Sequence, residues 1–161
     1  MNTVVYGAVG PKGEERMLSR RLLQTALTRE CGLHDVPAML RAEKGKPYFP
    51  DFPGIHFNLS HSHGAAVCAL SGAPVGVDVE VLRPAPRRLS GGLSDEEFFR
   101  LWTAQEATVK YSGEGIHALI ERPVPDPRCR VLENFLPGCI VTVCPADADA
   151  EIRVVQLTGG F

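Results

Sequence analysis

The chain has 161 residues, of which 44% are hydrophobic and 22% charged, a balance typical of a soluble globular protein with one domain or two small halves that share a core. Its formal net charge of −2 provides no overall positive field, so we expect no nucleic-acid partner. No stretch approaches the roughly 18 apolar residues of a membrane span, and the first residues do not resemble a signal peptide. We therefore expect a cytoplasmic protein without membrane association.

The chain contains five cysteines, an odd number at irregular spacing and without a Cys-x-x-Cys motif. They are Cys31, Cys68, Cys129, Cys139 and Cys144. This usage is typical of a reducing compartment, where cysteines pack as small apolar side chains. It therefore predicts reduced thiols and argues against a zinc site.

The N-terminal part predicts a strand and then a helix. Residues 4–9 are mostly apolar, and leucine and alanine then recur at helical spacing from about Glu14 to Glu30, with Gly32 as the stop. The outer face of this helix carries arginines such as Arg16, most simply explained as a solvated surface. Residues 11–46 carry eight Lys and Arg against five Asp and Glu, which fits an anionic ligand and ordinary fluctuation equally well.

Three strands are predicted in the middle of the chain. In residues 55–60 and 75–81, apolar side chains alternate with polar residues or glycine, and residues 65–70 are apolar throughout. Short Gly- and Ser-containing turns separate the three segments. We therefore expect one three-stranded antiparallel unit.

A second helix is predicted after a loop. Residues 83–92 are rich in Pro and Gly and indicate a mobile connection. Ser94 and Glu97 form the capping-box pattern that begins a helix, and Gly113 or Gly115 ends it.

The last segments, residues 135–144 and 151–157, predict a final hairpin. Each part of the chain thus follows the order of a helix and then strands. The sequence predicts an α+β fold with two halves, residues 1–82 and 83–161.

Four charged residues stand out by their spacing. Asp78 and Glu80 are two apart on a predicted strand and share a face, which fits either an amphipathic strand with a solvated face or a pair that holds a cation. Glu106 and Lys110 are four apart on the predicted helix. Such a pair is commonly a surface ion pair worth at most about 0.5 kcal/mol, but it could also reach into a cleft beside the strand.

Together these residues indicate a site for phosphoryl chemistry. Three carboxylates are hard oxygen ligands that suit Mg²⁺, and Lys110 could reach a phosphoryl oxygen. The turn with Ser60 and His61 fits a second phosphate contact, or simply a polar turn. His61 and His63 have no third ligand at zinc spacing.

Three ordered blocks carry a family resemblance. They read KGKPYFPDFPGIHFNLSHS over residues 44–62, GVDVE over 76–80 and LWTAQEATVKYSGEGI over 101–116. In this order and spacing they resemble the signature of the 4′-phosphopantetheinyl transferases of the surfactin-synthetase-activating type. The resemblance implies an α+β fold of two pseudo-symmetric halves with the cofactor in the cleft between them.

The resemblance also implies a reaction. A serine of an apo acyl or peptidyl carrier protein attacks the β-phosphate of coenzyme A, the phosphopantetheine arm is transferred, and 3′,5′-ADP leaves. Asp78, Glu80 and Glu106 would hold Mg²⁺, with Mn²⁺ as the alternative. Glu106 would also accept the serine proton, and Lys110 would balance charge on the pyrophosphate.

Further positions match family residues that contact coenzyme A. These are Lys46, Ser60 and His61, with His61 near the 3′-phosphate, and Arg16 matches a basic position in the first helix. Two halves in one chain favour a monomer.

The sequence departs from the family pattern in three places. Gln105 stands where relatives usually have lysine, the connection between Glu80 and Trp102 is shorter than usual, and a basic segment before the first helix is missing. In relatives the shortened region helps dock the carrier protein, so the acceptor is left open. Two alternatives follow: a degenerate relative that binds coenzyme A or a carrier protein without catalysis, and a Mg²⁺-dependent hydrolase of a small pyrophosphate.

Overall fold

The computed structural model describes residues 1–158 and has the predicted α+β architecture, with helices packed on small sheets. Residues 159–161 of the predicted C-terminal half lie outside the described residues. The strands are β1 (Thr3–Val9), β2 (Leu40–Arg41), β3 (Pro47–Tyr48), β4 (His56–Ser62), β5 (Ala65–Ser71), β6 (Gly76–Val81), β7 (Arg130–Val131), β8 (Cys139–Cys144) and β9 (Ile152–Gln156). The helices are α1 (Glu15–Cys31), α2 (Arg87–Ser90), α3 (Asp95–Ser112) and a 3-10 helix, Ile116–Glu121.

The first layer is a four-stranded sheet of order β4-β5-β1-β9, covered by α1. Leu22, Leu23, Ala26 and Leu27 form the buried stripe of α1, at the spacing expected of one helix face. Gly32 ends the helix in the left-handed conformation, with φ 68°, which a residue without a Cβ adopts at little cost. The predicted first helix and its stop are confirmed.

The second layer is a three-stranded sheet of order β6-β8-β7, covered by α3. The predicted capping box is present, since the Ser94 hydroxyl accepts from the Glu97 amide and the Glu97 carboxylate accepts from the Ser94 amide. Gly113 ends the helix with φ 72°. Phe99, Thr103 and Ala107 are buried on the face of α3 that covers the sheet, whereas Leu101 is 41% exposed.

Two predicted strand pairings are wrong. Strand β6 does not close a sheet with β4 and β5 but pairs antiparallel with β8. The final hairpin does not form, because β9 pairs in parallel with β1. Alternation along a strand fixes which side chains share a face but leaves the neighbouring strand open, so turn signals alone misassigned both partners. The predicted loop 83–92 also contains a single helical turn, α2.

Helix α3 lies very close to strand β6 at Gly76. A Cβ atom at Gly76 would lie 2.1 Å from the carbonyl oxygen of Ala107 and 2.6 Å from the amide nitrogen of Tyr111. Only glycine allows the two backbones to approach this closely. The approach brings the acidic face of β6 within reach of side chains on α3.

All five cysteines are free thiols, as predicted, and Cys68 and Cys144 are fully buried. No helix within residues 1–158 is both long and apolar enough to cross a membrane. The division of the chain into halves at residue 82 stays a prediction.

Candidate active site

Asp78 is the buried centre of a three-residue network. It is 4% exposed, and its Oδ1 atom accepts hydrogen bonds from Ser60 Oγ at 2.7 Å and Lys110 Nζ at 2.5 Å. Lys110 Nζ also donates to Ser60 Oγ at 3.0 Å. Burial raises the pKa of Asp78, while the ammonium of Lys110 opposes that rise. The network joins α3, β4 and β6 at one point.

Glu106 lies on the same helix one turn before Lys110. Its carboxylate is 16% exposed and lies 3.7 Å from Lys110 Nζ. Burial, followed by the negative charge of Asp78, raises the pKa of Glu106 to about 7. At neutral pH this carboxyl group therefore exists in both protonation states, which is the condition that suits a general base.

Side chains of β4 accept hydrogen bonds from backbone amides on the edge of β6 that does not pair with β8. Asn58 Oδ1 accepts from the Val77 amide at 2.9 Å, and Ser60 Oγ accepts from the Val79 amide at 3.3 Å. Ser60 therefore uses its donor on Asp78 and its acceptor capacity on an amide and an ammonium. The two sheets meet through these side chains, and the meeting line places Asp78 inside the molecule.

Glu80 points to the same side of β6 as Asp78, as the two-residue period requires. Its Oε2 atom accepts from Ser62 Oγ at 2.6 Å and from Arg83 at 2.7 Å. The sequence reasoning missed both partners. The repeated two-residue spacing of Ser60 and Ser62 against Asp78 and Glu80 was the available signal.

A cavity of about 200 Å³ opens beside this network. Its charged lining comes from Lys44, Lys46, Glu106 and Lys110. Its other lining residues are Gly45, Pro47, Asn58, Val109, Gly113, Gly115 and Leu119. Three lysines against one carboxylate make this cavity favourable for an anion.

Lys46 connects the loop before β4 to the end of α3. Its Nζ atom donates to the carbonyls of Tyr111 at 2.9 Å and Val75 at 3.3 Å. An ammonium has three donors, so among residues 1–158 one donor of Lys46 has no hydrogen-bond acceptor and could meet a ligand. Burial lowers the pKa of Lys46.

Two predicted contact residues lie apart from this network. Arg16 is exposed on α1, and His61 is exposed near the end of β4, where it lies within electrostatic reach of Glu15. Within residues 1–158 neither side chain lines the cavity that contains Glu106. Their predicted contacts with coenzyme A stay predictions.

Gln105 faces away from the Glu106 cavity. Its amide nitrogen donates to the Pro123 carbonyl at 3.1 Å, which supplies the buried partner that a half-buried amide requires. It lines a separate groove with Leu93, Trp102 and Arg122.

One carboxylate oxygen of the predicted metal site has no hydrogen-bond partner among the described residues. Asp78 Oδ2 is buried and has no hydrogen-bond partner within the described residues. In the same part of the chain, no group of three Asp, Glu, His or Cys side chains is arranged to hold a metal ion. The ligand chemistry nevertheless fits Mg²⁺, because Asp78, Glu80 and Glu106 offer carboxylate oxygens. These carboxylates repel one another electrostatically, and a bound cation would offset that repulsion. The three-ligand site stays a prediction.

Curated proteins similar to the chain share one name. A 4′-phosphopantetheinyl transferase AcpT from Escherichia coli K12 is 34% identical, over 65% of this chain and 60% of its own length. A second, HetI from Nostoc strain PCC 7120, is 39% identical over 48% of this chain and 42% of its own. A third, Sfp from Bacillus subtilis strain 168, is 32% identical over 46% of this chain and 40% of its own.

No protein-family model matches the sequence. The chain spans about half the length of the curated relatives it matches. Several relatives nevertheless agree in name. The residues that form the Asp78 network, and all residues that line the neighbouring cavity except Leu119, come from the three sequence blocks that carry the resemblance. The chain is therefore similar to the 4′-phosphopantetheinyl transferases over these blocks.

Proposed function

We propose that this chain transfers the 4′-phosphopantetheine arm of coenzyme A to a serine of an apo acyl or peptidyl carrier protein, releasing 3′,5′-ADP. The names of the relatives support a transferase of this kind. The observation that carries the proposal is the position of Glu106. Its half-buried carboxyl group lines the same cavity as Lys46 and Lys110 and has a pKa raised to about 7.

The lysines of the cavity suit the diphosphate of coenzyme A. Lys46 uses two of its three donors on backbone carbonyls, and Lys110 approaches both the cavity and the buried Asp78. Phosphoryl transfer depends mainly on positioning and on neutralising charge, and these ammonium groups supply both. Lys44 adds a third cation at the rim.

Asp78, through its unpartnered Oδ2, together with Glu80 and Glu106, would hold the divalent ion, Mg²⁺ or Mn²⁺. The ion would neutralise charge on the diphosphate. Glu80 already forms an ion pair with Arg83, and Asp78 forms one with Lys110. Two side-chain cations therefore balance the negative charge on the acidic face of β6.

The chemical step follows from these positions. Glu106 accepts the proton of the carrier serine while the serine Oγ forms a bond to the β-phosphorus. The bond between that phosphorus and the bridging oxygen of the diphosphate breaks, and 3′,5′-ADP leaves with the electron pair. The ammonium of Lys110 faces the charge that develops on the leaving oxygen.

The remaining predicted contacts complete the proposal. Ser60 holds Asp78 and Lys110 in place, while His61 and Arg16 would extend the binding surface towards the nucleotide end of coenzyme A. The cofactor cleft would lie between residues 1–82 and 83–161. We propose that the protein acts as a monomer.

The test uses the full chain with Mg²⁺, coenzyme A and a panel of apo carrier proteins. The expected result is a mass gain of one phosphopantetheine on at least one carrier, with none in the presence of a chelator. Coenzyme A binding without a mass gain on any carrier would contradict the proposal. Release of 3′,5′-ADP without a carrier would instead indicate a hydrolase.

A further inference from the structure

Cys129 and Cys144 lie opposite each other at the end of the β7–β8 ladder. Arg130 pairs with Val143 and Val131 with Thr142, and extending this register by one residue places Cys129 opposite Cys144. The ladder amide of Leu132 donates to the Val141 carbonyl, whereas the Cys129 amide donates back to Asp126. Since hydrogen-bonded and non-hydrogen-bonded pairs alternate along an antiparallel ladder, the two cysteines occupy a non-hydrogen-bonded position. Opposed Cα atoms are about 4.5 Å apart at such a position, within the range that a disulfide spans.

The two thiols differ in acidity and in exposure. Interaction with the opposite thiol lowers the pKa of Cys129 and raises that of Cys144. Cys129 is half-buried whereas Cys144 is fully buried, so only Cys129 is open to a reagent from solvent. The pair thus has an accessible attacking sulfur and a sheltered resolving sulfur.

We propose that Cys129 and Cys144 form a redox-active dithiol that hydrogen peroxide converts into a cross-strand disulfide. The pair takes no part in the proposed transfer reaction. The proposal rests on the strand register and on the difference in exposure between the two cysteines, and it is independent of that function.

The oxidation proceeds in two balanced steps. The Cys129 thiolate attacks one oxygen of the peroxide, the O–O bond breaks, and the leaving hydroxide takes up a proton to give water, leaving a sulfenic acid on Cys129. The Cys144 sulfur then attacks the Cys129 sulfur, an S–S bond forms, the S–O bond breaks, and a second water leaves. The two thiols lose two electrons in total, and the peroxide gains them.

The disulfide would change how the segment before β7 contacts α3. In the reduced protein the Cys129 sulfur lies 3.4 Å from Thr108 Oγ1 and 3.7 Å from the Ala104 carbonyl oxygen. Thr108 Oγ1 also accepts from the Asp126 amide at 2.8 Å. Turning the Cys129 sulfur towards Cys144 removes its contacts with α3 and clamps the segment to β8. Oxidation therefore replaces the contacts of the Cys129 sulfur with α3 by a covalent bond to β8.

The test uses the full-length Cys139→Ala protein, treated with hydrogen peroxide, quenched with iodoacetamide and digested with trypsin without reductant. Cleavage after Arg128 and Arg130 separates the dipeptide of residues 129–130 from the fragment of residues 131–153. With Cys139 absent, Cys144 is the sole cysteine of that fragment. We expect the two peptides to be joined after peroxide treatment and separate again after reduction. Tandem mass spectrometry of the linked wild-type peptide should assign the same cysteine.

Matched variants make the result decisive. Cys129→Ser should abolish the linked peptide, whereas Cys31→Ser, at another half-buried cysteine, should leave its yield unchanged. The oxidised wild-type protein should also unfold at a temperature higher by at least about 5 °C than the reduced protein, because the bond closes a loop of the unfolded chain. A Cys129 that accumulates as sulfinic acid without the linked peptide would overturn the proposal, as would a link to Cys139 in the wild-type protein.

Discussion

Lys110 donates to Asp78 across 2.5 Å, from helix α3 to strand β6, and the side chain of Asp78 is 5% exposed. Burying a charge without a partner is strongly unfavourable, so the charge of each residue offsets the cost of burying the other. The pair therefore ties the position of α3 to the acidic strand. Because Glu106 precedes Lys110 by one turn, the same pair also sets where the candidate base lies.

We expect Lys110→Met to destabilise the protein by about 3–5 kcal/mol, because it leaves Asp78 charged and buried without an ammonium. Asp78→Asn combined with Lys110→Met should recover most of that loss, since neither charge is then buried. Urea unfolding of the two single variants and the double variant measures the coupling. Additive single effects would show that the pair does not act as a unit.

Replacing Glu106 with Gln should lower the rate of transfer by roughly 10²- to 10⁴-fold while leaving coenzyme A bound, because the amide cannot accept the serine proton. In the wild-type protein the rate should rise about tenfold per pH unit below the pKa of Glu106 and then level off. The midpoint should lie at or below about 7, since a bound cation lowers the pKa of a carboxylate that holds it. A pH profile of single-turnover transfer tests this, and an unchanged profile in Glu106→Gln would exclude the assigned role.

Stability without metal should fall as the pH rises from about 4.5 to about 7. The pKa of Glu106 is raised from 4.5 to about 7 in the folded protein, so the folded state binds more protons than the unfolded state over this range. The contribution is fully present at low pH and is lost as the pH passes the folded value. Its size should be roughly 1–3 kcal/mol, allowing for solvent screening of a partly exposed group.

Urea unfolding in a chelator at pH 5 and pH 8 measures this effect. Glu106→Gln provides the control, because it should remove the corresponding part of the slope. A wild-type protein that gains stability relative to Glu106→Gln between these pH values would contradict the expected sign.

Gly76→Ala should destabilise the protein by at least about 2 kcal/mol, because its Cβ would lie 2.1 Å from a backbone oxygen of α3 that cannot turn away. Gly54→Ala is the matched control, since a Cβ there meets no atom within 4 Å and its backbone does not have a positive φ. Thermal unfolding of both variants provides the comparison. Equal melting temperatures would mean that α3 can move away from β6 at little cost.

Local patterns in the sequence determined much of the fold. The apolar spacing of α1, its glycine stop and the Ser94–Glu97 capping box all act within a few residues, so they are written in adjacent positions. The two-residue period likewise predicted that Asp78 and Glu80 share a face. The order and spacing of the sequence blocks alone carry the resemblance to the 4′-phosphopantetheinyl transferases.

The tertiary structure alone decided which elements became neighbours. Strand β6 pairs with β8 and β9 with β1, although turn signals favoured partners adjacent in the chain. Likewise Arg83 and Ser62 hold Glu80, and Lys110 fills the space beside Asp78. These contacts join residues that are distant in sequence, and their free energy depends on burial and packing that exist only once both layers have formed.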